Sequence, residues 1–377
     1  MGLILLMVID ALNRRSFLAA AAGLAVPFTT CRRTPEKNLF LFISSLKQVD
    51  GNHAVVAVDE GGTIKFEETL PDRGHDTAIT PDRKTAVIFA RRPGRFAIVM
   101  DLRRQKQVFA FETPANRHFY GHGFFSADGR LLFASENDFE KDRGVIGIYS
   151  VGNTYNRIGE FETKGIGPHQ ILLKSDENTI VVANGGIATH PDYPDRKLNL
   201  ASMQPSISYL DINSGDLIDQ IFLPKSLHKL SIRHIAEAAD GSIWFGGQYE
   251  GYTKDNVPLV GRHNFYKEID FLQTRTLRSY ELKQYIGSVS SNNDGNFIAT
   301  SCPRAGLLLI WDTMKMNLIT KRWIPDVCGV APHGHDFFTS DGFGNLWCEN
   351  TKFLSTIMWD GIIILKRSRF TFWRITI

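Results

Sequence analysis

The 377-residue sequence predicts an all-β protein, a β-propeller of seven four-stranded antiparallel blades, with six blades as the alternative. Turns built around aspartate recur at spacings of 46 to 64 residues, and an apolar burst follows each turn. Further short strand-like stretches complete the four strands of each unit. No strong amphipathic helical period separates the units, whereas a parallel α/β fold would need one. The turn residues are Asp82, Asp128, Asp176, Asp240, Asp294 and Asp341.

Composition is that of a globular protein. Hydrophobic residues make up 43% of the chain and charged residues 22%, which argues against a disordered chain and against a polytopic membrane protein. The net charge of only +3 argues against a dedicated nucleic-acid binder, which would need a concentrated basic face. A circular fold leaves no room for independent domains, so we predict one propeller domain over residues 36–360.

Residues 1–35 read as a targeting segment. Arg14 and Arg15 precede an apolar run of about a dozen residues, shorter than the roughly 20 that a membrane-spanning helix needs. The arginine pair followed by Ser-Phe-Leu resembles a twin-arginine export signal, which predicts a periplasmic protein. The alternative is a basic patch before a buried helix. Membrane contact is expected only through this signal or, as a less favoured option, through a lipid anchor at Cys31.

The C-terminal end departs from the repeat. Residues 361–377 form a basic, apolar string that is poor in turn residues, which we interpret as an atypical tail produced by a frameshift near the end of the gene. A divergent edge strand is the alternative. If the tail is aberrant, closure of the ring is in doubt.

A histidine stands six or seven residues before five of the six aspartates, where the innermost strand of a blade begins. The innermost strands surround the axis, so these imidazoles should enter one mouth of the propeller. Imidazole is the commonest protein ligand for transition metals, which indicates a site for a metal ion or a non-covalent haem. The alternative is that each histidine braces its own blade. No Cys-x-x-Cys-His motif is present, which excludes a c-type haem. The candidate ligands are His75, His122, His169 and His234, with His118 and His190 near the same face; His335 is the fifth repeat histidine.

The loops between second and third strands should lie at the same mouth, and they hold the most irregular segments of the chain. Long loops gathered on one face of a rigid scaffold usually carry function. Solvated loop charges and tight turns are the alternative for the acidic and glycine residues. Arg91, Arg92 and Arg95, in a loop of the same kind, are expected to be solvated loop charges, with contact to an anionic partner as the alternative. The predicted loop-face residues are Glu136, Asn137, Asp138, Asn184, Gly185, Gly186, Gln248, Tyr249, Glu250 and Arg304.

Several strings together resemble the bacterial family known as domain of unknown function 1513. They include RHFYGHG at 117–123, SENDFEKDRGVIGIY at 135–149, GIGPHQ at 165–170 and VANGGIATHPD at 182–192. The resemblance implies an exported propeller similar to WD-repeat propellers. Because members of the family are often encoded beside periplasmic iron-uptake proteins, it also implies a role near metal handling. It implies no activity and no catalytic residue.

Two classes of function fit these features. The first is a periplasmic binding or assembly module whose long-loop face holds a partner protein, with a metal or haem as cargo. The second is a propeller enzyme, either a metal-dependent oxidoreductase or a lactonase-like hydrolase, with its site at the axial mouth. We favour the binding module, because the sequence has no Gly-x-Ser-x-Gly elbow, phosphate loop or dinucleotide fingerprint.

Overall fold

Seven antiparallel sheets of four strands each form the structure, a computed structural model that describes residues 40–376 apart from 49, 194–195, 273–276, 349–350 and 355–370. The predicted seven-bladed propeller is confirmed. The predicted targeting segment, with Arg14, Arg15 and Cys31, lies outside the described residues. Within the described part of the chain, no helix is long and apolar enough to cross a membrane.

The strands follow one another blade by blade. Blade one contains β1 (Phe40–Lys47), β2 (His53–Asp59), β3 (Ile64–Leu70) and the C-terminal strand β28 (Thr371–Thr376). Blade two contains β4 (Gly74–Ile79), β5 (Thr85–Ala90), β6 (Phe96–Asp101) and β7 (Lys106–Glu112). Blade three contains β8 (Arg117–Phe125), β9 (Leu131–Asp138), β10 (Arg143–Ser150) and β11 (Asn156–Glu162). Blade four contains β12 (Pro168–Leu173), β13 (Thr179–Asn184), β14 (Ser206–Asp211) and β15 (Leu217–Phe222).

The remaining three blades repeat this order. Blade five contains β16 (Leu230–Glu237), β17 (Ile243–Tyr249), β18 (Val260–His263) and β19 (Asp270–Leu272), preceded by a short 3-10 turn at Lys225–Leu227. Blade six contains β20 (Ser288–Ser291), β21 (Phe297–Cys302), β22 (Leu307–Asp312) and β23 (Asn317–Trp323). Blade seven contains β24 (Val327–His333), β25 (Asp336–Asp341), β26 (Asn345–Cys348) and β27 (Thr351–Leu354).

The innermost strands β4, β8, β12, β16, β20, β24 and β28 contact one another in turn around the axis. Strand β28 pairs antiparallel with β1, with Phe40 opposite Thr376 and Ser45 opposite Thr371. It therefore supplies the inner strand of the blade that contains β1, β2 and β3, and it brings the first and last described strands together in one sheet. This strand lies inside the segment that the sequence analysis interprets as an atypical tail.

The core lies between neighbouring blades rather than at the axis. Second and third strands are covered on both faces by adjacent sheets, so they are nearly continuous runs of Val, Ile, Phe and Ala; all six residues of β13 are buried. Outer strands such as β23 alternate between exposed and half-buried positions, because one face meets solvent. Trp244 and Phe245 of blade five are fully buried in the largest cluster, together with Tyr209 of blade four.

The aspartate turns connect the first and second strands of blades two to six, as predicted. In these turns the carboxylate accepts a backbone N–H two residues further on, as Asp82 does from Lys84 and Asp128 from Arg130. The prediction is wrong for blade seven. There His335 lies in the turn after the inner strand β24 and contacts Asp294, while Asp341 ends the second strand. The spacing of histidine and aspartate is kept in this blade, but it is shifted by one strand.

Candidate metal centre

Four histidines from the innermost strands of four consecutive blades meet at one mouth of the axis. The candidate ligand nitrogens of His75, His122 and His169 lie within 4.8 Å of one another. The ring of His234 lies 4.8 Å from the ring of His169 and 5.5 Å from that of His122, measured between centroids. The structure thus brings together four of the six predicted ligands, from β4, β8, β12 and β16.

Irregular strand pairing accompanies each of these histidines. The register shifts between Gly74 and Thr77 in β4, between Phe119 and Gly123 in β8, and between Pro168 and Gln170 in β12. In β16 the shift between Ile232 and His234 ends at the histidine itself. A β-bulge releases a residue from the regular alternation of faces and re-aims its side chain, often beside a functional site. The bulges therefore account for the convergence of four imidazoles.

Each of two histidines is held by a polar residue of the preceding blade. His122 Nδ1 is joined by a short hydrogen bond to the carboxylate of Asp76, which directly follows His75. His234 Nδ1 lies 3.1 Å from the amide oxygen of Gln170, which directly follows His169. A carboxylate or carbonyl on one ring nitrogen orients the other nitrogen toward a metal and increases its basicity. In each of the pairs His75-Asp76 and His169-Gln170, the first residue is thus a candidate ligand and the second orients the histidine of the next blade.

Two buried ring nitrogens of the cluster have no hydrogen-bond partner among the residues that the structure describes. They are His122 Nε2 and His169 Nδ1, and His122 is 2% exposed. Buried polar atoms are normally hydrogen-bonded, and an exception needs an explanation such as an ion. In a tetrahedral zinc centre the ligand nitrogens lie about 3.4 Å apart, so side-chain shifts of roughly 1 Å would close the cluster on an ion. The arrangement fits the requirements of metal coordination.

Burial keeps the cluster uncharged. It lowers the pKa of His75, His169 and His234 well below the usual value, and repulsion from the neighbouring imidazoles adds to the effect. It also lowers the pKa of His122 to about 3. Neutral imidazole is the form that binds metals. Burial raises the pKa of the Asp76 carboxyl well above its usual range, and a cation at His122 Nε2 would favour the ionised carboxylate again.

Gly121 makes room for His75. Its backbone φ is +100°, in the region that favours glycine. A Cβ atom at this position would lie 2.5 Å from the His75 ring. The Gly-His pair at 121–122 therefore has a second role beside positioning His122, because it allows the two rings to approach to 4.7 Å between centroids.

We expect Asp76→Asn to weaken metal binding by about 10- to 100-fold, the usual cost of losing an outer-shell partner. The amide can still contact His122 Nδ1, so the variant removes charge rather than shape. Competition titration of Zn²⁺ against a chromophoric chelator measures the effect. Asp128→Asn, in a turn on the opposite face, is the matched control and should leave the affinity unchanged. Equal affinity in wild type and Asp76→Asn would show that the carboxylate does not support a ligand.

A cavity of about 700 Å³ opens above the histidines. His75, His169 and His234 form part of its wall. Among the described residues, Asp326 is the only carboxylate that lines it, whereas the aromatic lining comes from Tyr120, Tyr285, Trp323 and Phe343. The cationic lining residues are Arg73, Arg91, Arg92, Arg233, Arg304, Lys197 and Lys283. A ligand in this cavity would therefore meet imidazole at its floor and positive charge around it.

The other two predicted ligands lie outside the cluster. His118 is buried, with Nδ1 3.0 Å from the Phe119 carbonyl and Nε2 3.0 Å from Asn137 Nδ2. Both of its ring nitrogens are thus engaged by the protein. His190 lies in the long loop of blade four, where its ring packs against Phe139 and Tyr193.

Glu136, Asn137 and Asp138 belong to strand β9, and the sequence analysis is wrong to place them in a loop. Glu136 and Asp138 are fully buried because arginines of the same blade neutralise them. Arg157 lies 2.9 Å from Glu136, and Tyr149 donates a 2.6 Å hydrogen bond to it. Asp138 pairs with Arg117 at 2.8 Å and Arg143 at 2.9 Å, and Asn137 donates to the Thr189 carbonyl.

Glu160 connects these arginines and should make the blade sensitive to acid. Partial burial acts to raise its pKa, but hydrogen bonds from Arg157 and Arg117 outweigh it and lower the pKa to about 2. A carboxylate with a lowered pKa stabilises the fold above pH 4.5, and this contribution disappears as the pH falls toward 2.

We therefore expect Glu160→Gln to reduce the free energy of unfolding by about 1–3 kcal/mol at pH 7, with the difference from wild type shrinking below pH 4. Urea unfolding at a series of pH values measures it. Glu162→Gln, on the same strand but exposed, is the control and should change little. A difference that is constant with pH would contradict the assignment.

The glycine pair at 185–186 does not offer its amides to a ligand. Gly185 N–H donates to the Gly167 carbonyl, and Gly186 N–H donates to the Ile166 carbonyl. Asn184 is buried, and its Nδ2 donates to Thr163 and to Ser208. Of the two interpretations for this segment, the tight turn agrees with these contacts.

Of the remaining predicted loop-face residues, Gln248 and Arg304 line the cavity. Gln248 and Tyr249 end strand β17, so their predicted loop position is wrong. The guanidinium of Arg304 lies 4.6 Å from the ring centre of Tyr285. Tyr249 donates to Asp255 at 2.9 Å, and Glu250 pairs with Lys197 and, at 3.8 Å, with Arg233. Tyr249 and Glu250 thus support the rim through protein contacts.

Sequence reasoning missed Asp76, Gln170 and Arg233 as residues of the site. A signal was present, because each stands directly beside a repeat histidine in the chain. The sequence does not show these roles, because Asp76 and Gln170 act on the histidine of the next blade and Arg233 faces the cavity through a bulge.

Fold and site together define a seven-bladed β-propeller with a histidine cluster at the floor of a cationic axial cavity. The chain belongs to the family described as protein of unknown function DUF1513, whose family profile matches residues 68–364. The resemblance inferred from the sequence strings is thus confirmed. A comparison with curated proteins finds no match.

Solved structures share the fold at low sequence identity. Hydrazine synthase of Kuenenia stuttgartiensis is 15% identical with a TM-score of 0.58, and the match covers 79% of this chain and 89% of that chain. The β-propeller domain of Cps50 (Swd1) from Myceliophteria thermophila is 12% identical with a TM-score of 0.57 and the same coverage. Such identities show a common propeller fold and nothing about activity.

Proposed function

We propose that this protein is a metal-binding propeller that holds one transition-metal ion on His75, His122, His169 and His234. The observation that carries the proposal is the convergence of ring nitrogens from His75, His122 and His169 within 4.8 Å, in a cluster where two buried ring nitrogens have no hydrogen-bond partner among the described residues. Bracing of individual blades, the alternative, would leave each ring bonded within its own blade. His118 is an example of such a braced ring.

The donor set favours a borderline ion. Imidazole suits Zn²⁺, Cu²⁺, Ni²⁺ and Fe²⁺, whereas Mg²⁺ and Ca²⁺ prefer oxygen ligands. Five of the six ring pairs in the cluster have centroids 4.7–5.8 Å apart, a spacing that favours one shared ion. A haem iron takes at most two protein ligands, so a cluster of four imidazoles favours the ion over haem.

Export and metal binding would support each other. The targeting segment predicted for residues 1–35 would carry the folded protein, with its ion inserted, to the periplasm. The proposal therefore is a periplasmic metal-binding module, in line with the metal-handling role that the family resemblance implies. The support for the location is the sequence alone.

A metal-dependent enzyme is the second candidate function. It is favoured by one observation, the cavity of about 700 Å³ that His75, His169 and His234 help to line. A metal with protein ligands on one side and an open side toward a cavity has the layout of a catalytic centre. We rank binding first, because no general acid or base other than the ligands themselves lies at the floor within the described part of the chain.

The test is metal content and uptake. Protein exported in its native form is analysed for metals, then stripped with a chelator and titrated with Zn²⁺, Cu²⁺ and Fe²⁺. We expect one ion per chain and a loss of affinity in His122→Ala/His169→Ala larger than the about 100-fold upper cost of an outer-shell change. An ultraviolet-visible spectrum of the same sample detects haem by its Soret band.

His190→Ala/His335→Ala is the matched control, because it removes two imidazoles that lie outside the cluster. This double variant should bind like wild type. A protein that takes up none of the three ions, or a cluster variant that binds as tightly as wild type while remaining folded, would refute the proposal.

A further inference from the structure

We infer that the axial cavity binds a small polyanion, a molecule with two or more carboxylate or phosphate groups, on Arg91, Arg92 and Arg233. The inference rests on the proposed function only in placing this anion beside the metal ion. The cationic residues themselves form the site, and their geometry does not depend on a metal.

Arg91 and Arg92 lie next to each other at the start of the loop between β5 and β6, and both line the cavity. Neither side chain pairs with a carboxylate within the described ranges of the chain. The Arg91 backbone is fixed to the blade by its N–H, which donates to the Arg73 carbonyl at 2.8 Å. Two adjacent guanidinium groups without a counter-charge are held on one wall.

Arg233 approaches from another blade. It lies in the bulge of β16, directly before His234, and its side chain is 14% exposed. Glu250 neutralises Arg233 only partly, because it lies 3.8 Å away and also pairs with Lys197. The buried Nε atom of Arg233 has no hydrogen-bond partner among the described residues. This arginine therefore connects the histidine floor to the cationic wall.

The charge of Arg91 lies close to other arginines and has no carboxylate partner among the described residues. Desolvation lowers the pKa of Arg91 to about 10, and repulsion from Arg73 and Arg92 contributes. An arginine that loses basicity in its surroundings lacks an anion there. A bound oxyanion would supply it, and guanidinium groups bind carboxylate and phosphate through paired hydrogen bonds.

The size of the cavity fits a small molecule. A volume of about 700 Å³ lies in the range of ligand pockets for small molecules. The whole chain carries a net charge of only +3, so the cations are focused in one concave site rather than spread over a surface for nucleic acid. Tyr120 and Tyr285 in the wall would pack against the carbon skeleton of the ligand.

The experiment is calorimetric titration of chelator-treated, metal-free protein at constant ionic strength. Citrate and pyrophosphate are the two polyanion probes, and acetate is the monovalent comparison. We expect one citrate or pyrophosphate per chain, at least tenfold tighter than acetate; the tighter of the two identifies carboxylate or phosphate as the natural chemistry. Arg91→Gln/Arg92→Gln should weaken this binding by at least tenfold.

Arg130→Gln, a fully solvated arginine on the opposite face, is the matched control and should bind as wild type. Removing two repelling charges should not destabilise the fold, so the unfolding temperature of Arg91→Gln/Arg92→Gln should equal or exceed that of wild type. This keeps loss of binding separate from loss of structure.

The outcomes separate this inference from the proposed function. Anion binding by protein that takes up no metal would support the cationic site and refute the metal centre. Anion binding only after metal loading would overturn the cationic site and leave the metal centre intact. Absence of citrate and pyrophosphate binding, or equal binding by Arg91→Gln/Arg92→Gln, would also overturn it.

Discussion

Arg157→Met is expected to destabilise the protein by about 3–5 kcal/mol, the cost of breaking a buried ion pair from one side. Arg157 donates to Glu136 at 2.9 Å and to Glu160 at 2.6 Å. Glu136 is fully buried, and without Arg157 only Tyr149 would remain hydrogen-bonded to it. Methionine keeps much of the volume of the arginine side chain, so the loss of stability reports on the uncompensated charge of Glu136.

Chemical denaturation of Arg157→Met beside Arg130→Met measures this effect. The control breaks an exposed pair, Arg130 with Asp128, and should change stability by less than about 1 kcal/mol. Glu136→Gln added to Arg157→Met should restore part of the stability, because it removes the unpaired charge. A loss no larger than that of the control would contradict the buried network.

Removal of residues 371–377 is expected to lower the unfolding temperature by at least about 10 °C, or to make the protein insoluble. Strand β28 pairs with β1 over its whole length and contacts the inner strands β4 and β24 on either side. Its removal would expose the edge of β1 and open the ring. Exposed strand edges also promote aggregation.

Thermal unfolding of the truncated chain beside a chain that lacks only Ile377 measures the contribution of the strand. Ile377 lies after β28, so its removal should leave the unfolding temperature within about 1 °C of wild type. Equal stability of both truncated proteins would show that residues 371–376 do not close the propeller. It would then support a tail that is foreign to the fold.

Local patterns predicted most of the architecture. The number of blades, the aspartate turns of five blades and the histidines of four inner strands follow from short-range repeats in the sequence. The last blade was predicted one strand out of register. His335 and Asp341 keep the repeat spacing, but the turn at Gly334 comes before them, so they flank the second strand of the blade instead of the first. Spacing alone does not show whether an aspartate follows the first or the second strand of a blade.

Contacts between distant residues were beyond sequence reasoning. Glu136 and Asp138 look like loop carboxylates, and only the positions of Arg117, Arg143 and Arg157 in neighbouring strands explain their burial. The closing strand lies more than 300 residues from its partner β1. In the candidate site, the bulges that re-aim the histidines have no sequence signature of their own.

Anomalous diffraction from crystals grown with Zn²⁺ tests the central claim most directly. We predict one strong peak at the axis, about 2.0–2.2 Å from a ring nitrogen of at least three of the four histidines, with His122 bound through Nε2. Asp76 should remain on His122 Nδ1. Strong peaks only at surface positions such as His335, with none within bonding distance of His122 and His169, would contradict a metal centre in this propeller.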